Sequence, residues 1–372
     1  MDDHHDYERP EWAPEGAGRE FASFVMKGIT HQPAVRKRAG SKRRELTVDD
    51  YANGVLEGNR TILARAITLI ESNAPAHRET GQAVLQRLLP YAGNSMRVGI
   101  TGVPGAGKST FIENLGCRLC EQGKKVAVLA VDPSSSLSGG SILGDKTRME
   151  KLSRDQRAFI RPSPTGGTLG GVTEKSRSTI VLCEAAGYDT IIVETVGVGQ
   201  NETTVRQMVD CFVLLTIAGA GDDLQGIKKG VVELADLFVV NKADGNNKNR
   251  AARARSEMET VLHYLTPFTP EWKIPALTCS AYTGDGVDDV WSRILEFFKH
   301  LNAAQILDRR RAAQNVEWMH EMVQQELRHQ FVQHPMVAEK LHALEEEVAQ
   351  GVTPAYTAAK ALLERFLSGS ER

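Results

Sequence analysis

Six short runs rich in Val, Ile, Leu and Phe, at residues 97–101, 126–131, 190–193, 212–217, 237–240 and 276–279, alternate with stretches of helical spacing. No other feature limits the fold as strongly. A strand buried on both faces reads as a near-continuous apolar run, because no face is left for polar side chains. Strands of that kind separated by helices form βαβ units, so residues 96–300 are predicted to build an α/β domain around a doubly wound, mostly parallel sheet. That domain accounts for only part of the 372 residues, and the rest must be explained separately.

The first run leads into GVPGAGKS at residues 102–109. Gly102, Gly105 and Gly107 let the backbone of this loop curl until successive N–H groups face inward, while Val103, Pro104 and Ala106 fill the positions between. Lys108 can then reach the β- and γ-phosphates of a nucleotide, and the Ser109 hydroxyl can coordinate Mg²⁺. A helix beginning after Lys108, with Thr110 in its first turn, adds its N-terminal dipole to the anion site. Lying between a strand and a helix, these residues read as the phosphate loop of a P-loop NTPase.

The fifth run ends in Asn241, Lys242, Ala243 and Asp244. A carboxylate at Asp244 can accept from both N1–H and the exocyclic amine of guanine, a pattern adenine does not present. Lys242 can lie along the base plane, and Asn241 can tie its loop to the phosphate loop. Ser280, Ala281 and Tyr282 follow the last run, where a backbone N–H can meet the guanine carbonyl. Behind a phosphate loop, these groups point to GTP and GDP rather than to ATP.

The third run ends in Glu194, with Gly197 beyond it, where a GTPase places its acidic residue and its γ-phosphate-sensing glycine. The acid is Glu rather than Asp, so it can act on Mg²⁺ through water. Asp132 at the end of the second run, and Asp145 after the Gly/Ser-rich stretch 134–144, are further candidates for the metal. Lys108, Glu194, Asp145 and Gln200 are the candidate catalytic residues. Val198 stands where a water-positioning glutamine is expected, Gln200 is close by, and Lys146, Arg148, Lys228 and Lys229 can bring positive charge to the transition state. Phosphoryl transfer depends on such positioning and charge, so slow intrinsic hydrolysis is expected.

Outside this core, residues 1–45 read as a flexible charged arm. Its first twenty residues carry seven acidic and two basic side chains, and a basic run with Arg36, Lys37, Arg38, Lys42, Arg43 and Arg44 follows. Residues 46–95 read as helices: Thr47 and Asp50 resemble a capping box, Asn59 caps a second helix, and Val84, Leu85, Leu88 and Leu89 mark a third. Beyond residue 301 only helical spacing remains, with Trp318, Met319, Met322, Val323, Leu327 and Phe331 on one stripe and a last helix over 358–367. The net charge of −2 excludes a generally basic nucleic-acid binder. No apolar run reaches the ~20 residues of a membrane span. Five cysteines and an acidic start without an apolar leader lead us to expect a cytoplasmic protein.

Several longer stretches are more specific than the phosphate loop: AVDPSSS at 130–136, GGSILGDKTR at 139–148, RPSP at 161–164 with Gly170 and Gly171, VETVGVGQ at 193–200, and AGAGDDLQGIK at 218–228. Through them the chain closely resembles the methylmalonyl-CoA mutase-associated GTPases, the MeaB/ArgK group. The resemblance implies a G-protein chaperone of a cobalamin-dependent acyl-CoA mutase, whose nucleotide state gates adenosylcobalamin loading and protects or rescues the mutase. It also implies a homodimer held by terminal helices, so that 301–372 becomes a dimerisation region. Mg²⁺ would be sensed through Ser109, Asp132, Asp145 and Glu194, and residues 219–229 would form an additional switch facing the mutase. The adenosyltransferase that supplies adenosylcobalamin is a further implied partner. The rival from a neighbouring class is a nickel metallochaperone GTPase, suggested by His4 and His5 and by the spacing of Cys117 and Cys120.

Overall fold

The computed structural model describes residues 46–72, 74–131, 149–162, 169–195, 201–219 and 229–369. The charged arm, with His4 and His5, lies outside them, as do residues 132–148, 163–168, 196–200 and 220–228.

Strands β1 (Met96–Gly102), β2 (Val126–Val131), β3 (Ala158–Arg161), β4 (Thr190–Thr195), β5 (Cys211–Ile217), β6 (Leu237–Asn241) and β7 (Ala276–Thr278) form one sheet in the order β3-β2-β4-β1-β5-β6-β7. Every neighbouring pair is parallel. All six residues of β2 and of β4 are buried, as the apolar runs require. β3 is a seventh strand, missed by the sequence pattern; it has four residues, pairs among the described residues only with β2, and ends in a partly exposed Arg161. The chain leaves β1 toward β2 on one side and returns to β5 on the other. The carboxyl end of β1 is therefore the switch point at which open α/β sheets bind ligands.

Three helices precede the sheet: α1 (Val48–Leu56), α2 (Arg60–Glu71) and α3 (Pro75–Leu88). Thr47 and Asp50 do form a capping box, with Asp50 N–H donating to Thr47 Oγ1 at 3.1 Å and Thr47 N–H donating to Asp50 Oδ2 at 2.9 Å. Asn59 Oδ1 accepts from the N–H groups of Thr61 and Ile62. The apolar side of α2 is largely covered, with Leu63, Ala66, Ile67 and Leu69 buried. Replacing Thr47 by Ala removes the side-chain half of the box and is expected to cost about 1 kcal/mol in urea denaturation. An unchanged midpoint would mean that packing of Tyr51, Ala52 and Val55 alone holds α1.

Between and beyond the strands run α4 (Lys108–Glu121), α5 (Glu150–Arg154), α6 (Leu169–Ala185), α7 (Asn201–Arg206), α8 (Lys229–Leu234), α9 (Lys248–His263), α10 (Val287–Ala303), α11 (Ile306–Gln333), α12 (Pro335–Ala349) and α13 (Ala355–Gly369). The start of α11 is pinned beneath the sheet, at the end away from the phosphate loop. There Arg311 pairs with buried Asp210 at 2.6 Å and donates to the Ser95 carbonyl at 2.6 Å, and Gln314 donates to the Val209 carbonyl at 2.9 Å. Beside it Asp236 pairs with Arg206 at 3.2 Å and accepts from Phe212 N–H and the Thr269 hydroxyl. Each buried carboxylate thus has a cationic partner and further donors, which burial demands. Further along α11 part of the apolar stripe is left uncovered by the described residues: Val316, Met319, Val323 and Leu327 are each about half exposed. No helix among the described residues is long and apolar enough to cross a membrane.

Candidate nucleotide site

The loop between β1 and α4 is closed by Ala106 N–H donating to the Val103 carbonyl at 3.1 Å. Gly107 then caps α4 with φ +88°, a left-handed conformation that a Cβ would strain. A Cβ there would also stand 2.7 Å from the Asn241 amide nitrogen, so glycine admits both the turn and its neighbour. The first N–H groups of α4 have no partner inside the helix and face the loop, where they and the helix dipole favour an anion. Lys108 reaches back across the loop, its ammonium donating to the Gly102 carbonyl at 2.9 Å and approaching that of Val103 at 3.5 Å.

Ser109, the next residue, donates its hydroxyl to Glu194 Oε1 at 3.0 Å. Glu194 comes from β4, where it is paired with Ile100 of β1 and Ala130 of β2. It is nearly fully buried, and this register sets it beside the phosphate loop. One residue further on, the Thr195 hydroxyl donates to the Thr101 hydroxyl of β1 at 2.9 Å, tying the two strand ends together. A hydroxyl and a carboxylate in contact at this point are hard oxygen donors of the type Mg²⁺ takes.

Asn241 ends β6 and joins three segments. Its Nδ2 donates to the Ala106 carbonyl at 2.7 Å, and its Oδ1 accepts from Ala281 N–H at 2.9 Å and lies 3.5 Å from the Cys279 thiol. Of the backbone N–H groups in the stretch expected from the sequence to meet the guanine carbonyl, that of Ala281 is donated to the Asn241 amide. The reason is the orientation of that amide: with its nitrogen on the phosphate loop, its oxygen faces residue 281. Lys242 follows with φ +58°, a sparsely populated conformation for a side-chain-bearing residue, held by Asn247 Nδ2 donating to its carbonyl at 2.7 Å. Asp244 Oδ1 accepts from the Ser280 hydroxyl at 2.9 Å, which fixes the carboxylate while leaving its second oxygen to other partners. Tyr282 lies at the tip of the 280–284 turn and is largely exposed.

The structure thus brings Gly102–Thr110, Glu194, Asn241, Lys242, Asp244, Ser280 and Ala281 to one end of the sheet. Asp132, Asp145, Gly197 and Gln200 lie outside the described residues, as do Lys146, Arg148 and Lys228. Sequence spacing did not reveal Asn114 and Arg118 of α4. Asn114 Nδ2 donates to the Ala281 carbonyl at 3.3 Å, and Arg118 donates to the Gly284 carbonyl at 3.1 Å. Their partners lie 166 to 167 residues away, beyond any local pattern.

Cys117 and Cys120 both sit within α4. Burial pushes both thiols up, that of Cys120 to about 11. Soft metals require the thiolate, so this environment works against the metal half-site that their spacing suggests. Among the described residues no group of three His, Cys, Asp or Glu side chains is placed to hold a metal ion.

A sequence model of the family described as methylmalonyl-CoA mutase-associated GTPase MeaB matches residues 63–336. GTPase ArgK of Escherichia coli is 51% identical over 288 residues, spanning 77% of this chain and 87% of that protein. The mouse (Mus musculus) methylmalonic aciduria type A homolog, mitochondrial, is 45% identical over 338 residues, covering 88% of this chain and 81% of its own length. The crystal structure of a LAO/AO transport system kinase superposes with a TM-score of 0.69 at 40% identity, over 85% of this chain and 96% of that one. With the matched model spanning the sheet, its phosphate loop and both base-side loops, the chain belongs to the MeaB family of methylmalonyl-CoA mutase-associated P-loop GTPases.

Proposed function

We propose that this chain is a GTP-driven chaperone of a cobalamin-dependent acyl-CoA mutase, methylmalonyl-CoA mutase or a close relative. Its nucleotide state would gate adenosylcobalamin loading and protect or reactivate the mutase. One observation carries the nucleotide half of this reading: Asn241 bonds the phosphate loop at Ala106 and the 280–284 turn at Ala281 together. A phosphate site and a carboxylate suited to guanine thereby become one rigid pocket. The mutase half is supported by the family description and by the mouse relative's name.

In this reading the N–H groups of 105–110 and the Lys108 ammonium hold the phosphates, while Asp244 reads the base beside Lys242. Ser109 and Glu194 would hold Mg²⁺, Ser109 directly and Glu194 directly or through water, with Asp132 and Asp145 completing the set. When bound, the ion neutralises charge on the phosphate oxygens. Glu194 accepts the Ser109 hydroxyl and so turns its lone pairs outward. Gly197 and Gln200 would sense the γ-phosphate and orient water, at a slow intrinsic rate.

The half-exposed stripe Val316, Met319, Val323 and Leu327 suits the contact of a homodimer. An adenosyltransferase would be a further partner. The five cysteines are all free thiols, which suits a reducing compartment, taken here as the cytoplasm. The test is co-purification of the full chain with candidate acyl-CoA mutases in GDP and in a non-hydrolysable GTP analogue. A complex whose stability changes with the nucleotide is expected. Failure to bind every candidate mutase in either state would refute the chaperone role and leave a GTPase of another purpose.

A further inference from the structure

The turn that follows β7 is shaped from within but anchored from outside. Inside it, Ser280 N–H donates to the Asp285 carbonyl and Gly284 N–H to the Ser280 carbonyl, both at 2.8 Å, and Thr283 N–H donates to the Ser280 hydroxyl at 3.2 Å. These bonds fix the form of the turn and say nothing of where it stands. Its place is set by Asn241 on one side and by α4 on the other. From α4, Asn114 Nδ2 holds the Ala281 carbonyl at 3.3 Å and Arg118 Nη2 holds the Gly284 carbonyl at 3.1 Å. Arg118 Nε also donates to Asn114 Oδ1 at 2.8 Å, so the two side chains form one unit. A Cβ at Gly284, whose φ is +87°, would stand 2.3 Å from Arg118 Nη2; the guanidinium reaches this carbonyl only past a residue without a side chain.

We infer that Asn114 and Arg118 are positioning residues for guanine selection. They clamp the 280–284 turn to the helix whose first turn carries Lys108 and Ser109, so that base and phosphate sites are held at a fixed distance along α4. The inference rests on the guanine reading given above. Its link to selectivity runs through Ser280, whose hydroxyl orients the Asp244 carboxylate at 2.9 Å. If the turn drifts, Asp244 loses that orientation, and with it the recognition of the exocyclic amine. Arg118 also pairs with Asp288, but the Asp288 side chain is 64% exposed and such a pair contributes little. The two carbonyl bonds, not the charge pair, are the working part.

The test uses the full chain with Arg118→Ala, Asn114→Ala and Asp288→Asn, and measures dissociation constants for GDP, IDP and ADP at fixed Mg²⁺. IDP lacks the exocyclic amine. Each of the first two variants is expected to weaken GDP about tenfold and IDP about threefold, narrowing the preference for GDP over IDP, as loss of one or two hydrogen bonds implies. Asp288→Asn, which touches neither carbonyl bond, should bind GDP within about twofold of wild type. If both alanine variants keep the wild-type GDP:IDP ratio while melting at a lower temperature, the two residues only support the fold and the inference is overturned. If the wild type itself binds GDP and ADP equally, the guanine reading fails and takes the inference with it. Should Arg118→Ala not fold, Asn114→Ala alone decides.

Discussion

Replacing Lys108 by Ala is expected to lower single-turnover GTP hydrolysis by about a hundred- to a thousandfold, the usual cost of removing one positioned electrostatic donor. In phosphoryl transfer the protein does little covalent chemistry; it positions the γ-phosphoryl group and neutralises its oxygens. Lys108 is the first residue of α4, and its ammonium already spans the loop to the Gly102 carbonyl at 2.9 Å. That reach shows a side chain long enough to cover whatever the loop encloses. The fold should tolerate the change, because the sheet and the apolar face of α4, with Phe111, Ile112 and Leu115 buried, do not depend on it. Arg is not expected to substitute, since its planar fork is larger than a compact ammonium and needs a different approach to the phosphates. Rapid-quench measurement with radiolabelled GTP, beside a melting curve of the variant, checks both parts. A variant that folds and hydrolyses GTP within about threefold of wild type would remove Lys108 from the catalytic machinery.

What the sequence reveals depends on how locally each requirement is written. The phosphate loop is legible because its chemistry needs Gly102, Gly107, Lys108 and Ser109 as near neighbours. The caps at Thr47 and Asn59 are legible for the same reason, each bonding to N–H groups two or three residues away. The buried strands announce themselves because both faces must be apolar. β3 does not, since an edge strand of four residues with a partly exposed end is held to no such rule. Contacts across long separations leave no local trace. Arg118 meets Gly284 and Asp288 only because α4 and α10 pack side by side on the sheet. The α11 stripe is a mixed case: its spacing is plain in the sequence, and the structure adds that the described residues leave Val316, Met319, Val323 and Leu327 half exposed, whereas Leu63, Ala66 and Ile67 of α2 are buried. That contrast separates a helix whose apolar side is packed from one with apolar surface left exposed among the described residues. It also places the polar anchoring of α11, through Arg311 and Gln314, beneath the sheet, at the opposite end from the nucleotide.

Asp244→Asn is expected to exchange the preferred base from guanine to xanthine. The carboxylate has two acceptor oxygens for two donors of guanine, N1–H and the exocyclic amine. An Asn side chain keeps one acceptor and turns the other position into a donor. Xanthine carries a carbonyl where guanine carries the amine, so the amide and xanthine are complementary, while the amide and guanine set two donors against each other. Ser280 should hold the new side chain as it holds the old, because Asn Oδ1 can still accept the hydroxyl now 2.9 Å from Asp244 Oδ1. The strained backbone of Lys242 and the Asn241 bridge lie upstream and are untouched. Charge-assisted hydrogen bonds are worth about 1.5–3 kcal/mol each, so losing the one to the exocyclic amine and the charge assistance of the one to N1–H places the drop in GDP affinity at about a hundredfold. A site that then leaves a buried donor unpaired rejects the old base more strongly still. Competition binding of GDP and XDP to wild type and variant provides the measurement, with the ratio of the two constants as the readout. Reversal of that ratio identifies Asp244 as the group that reads the base. A variant that retains its preference for GDP shows that the base lies elsewhere, and that the Ser280–Asp244 contact serves only to close the turn.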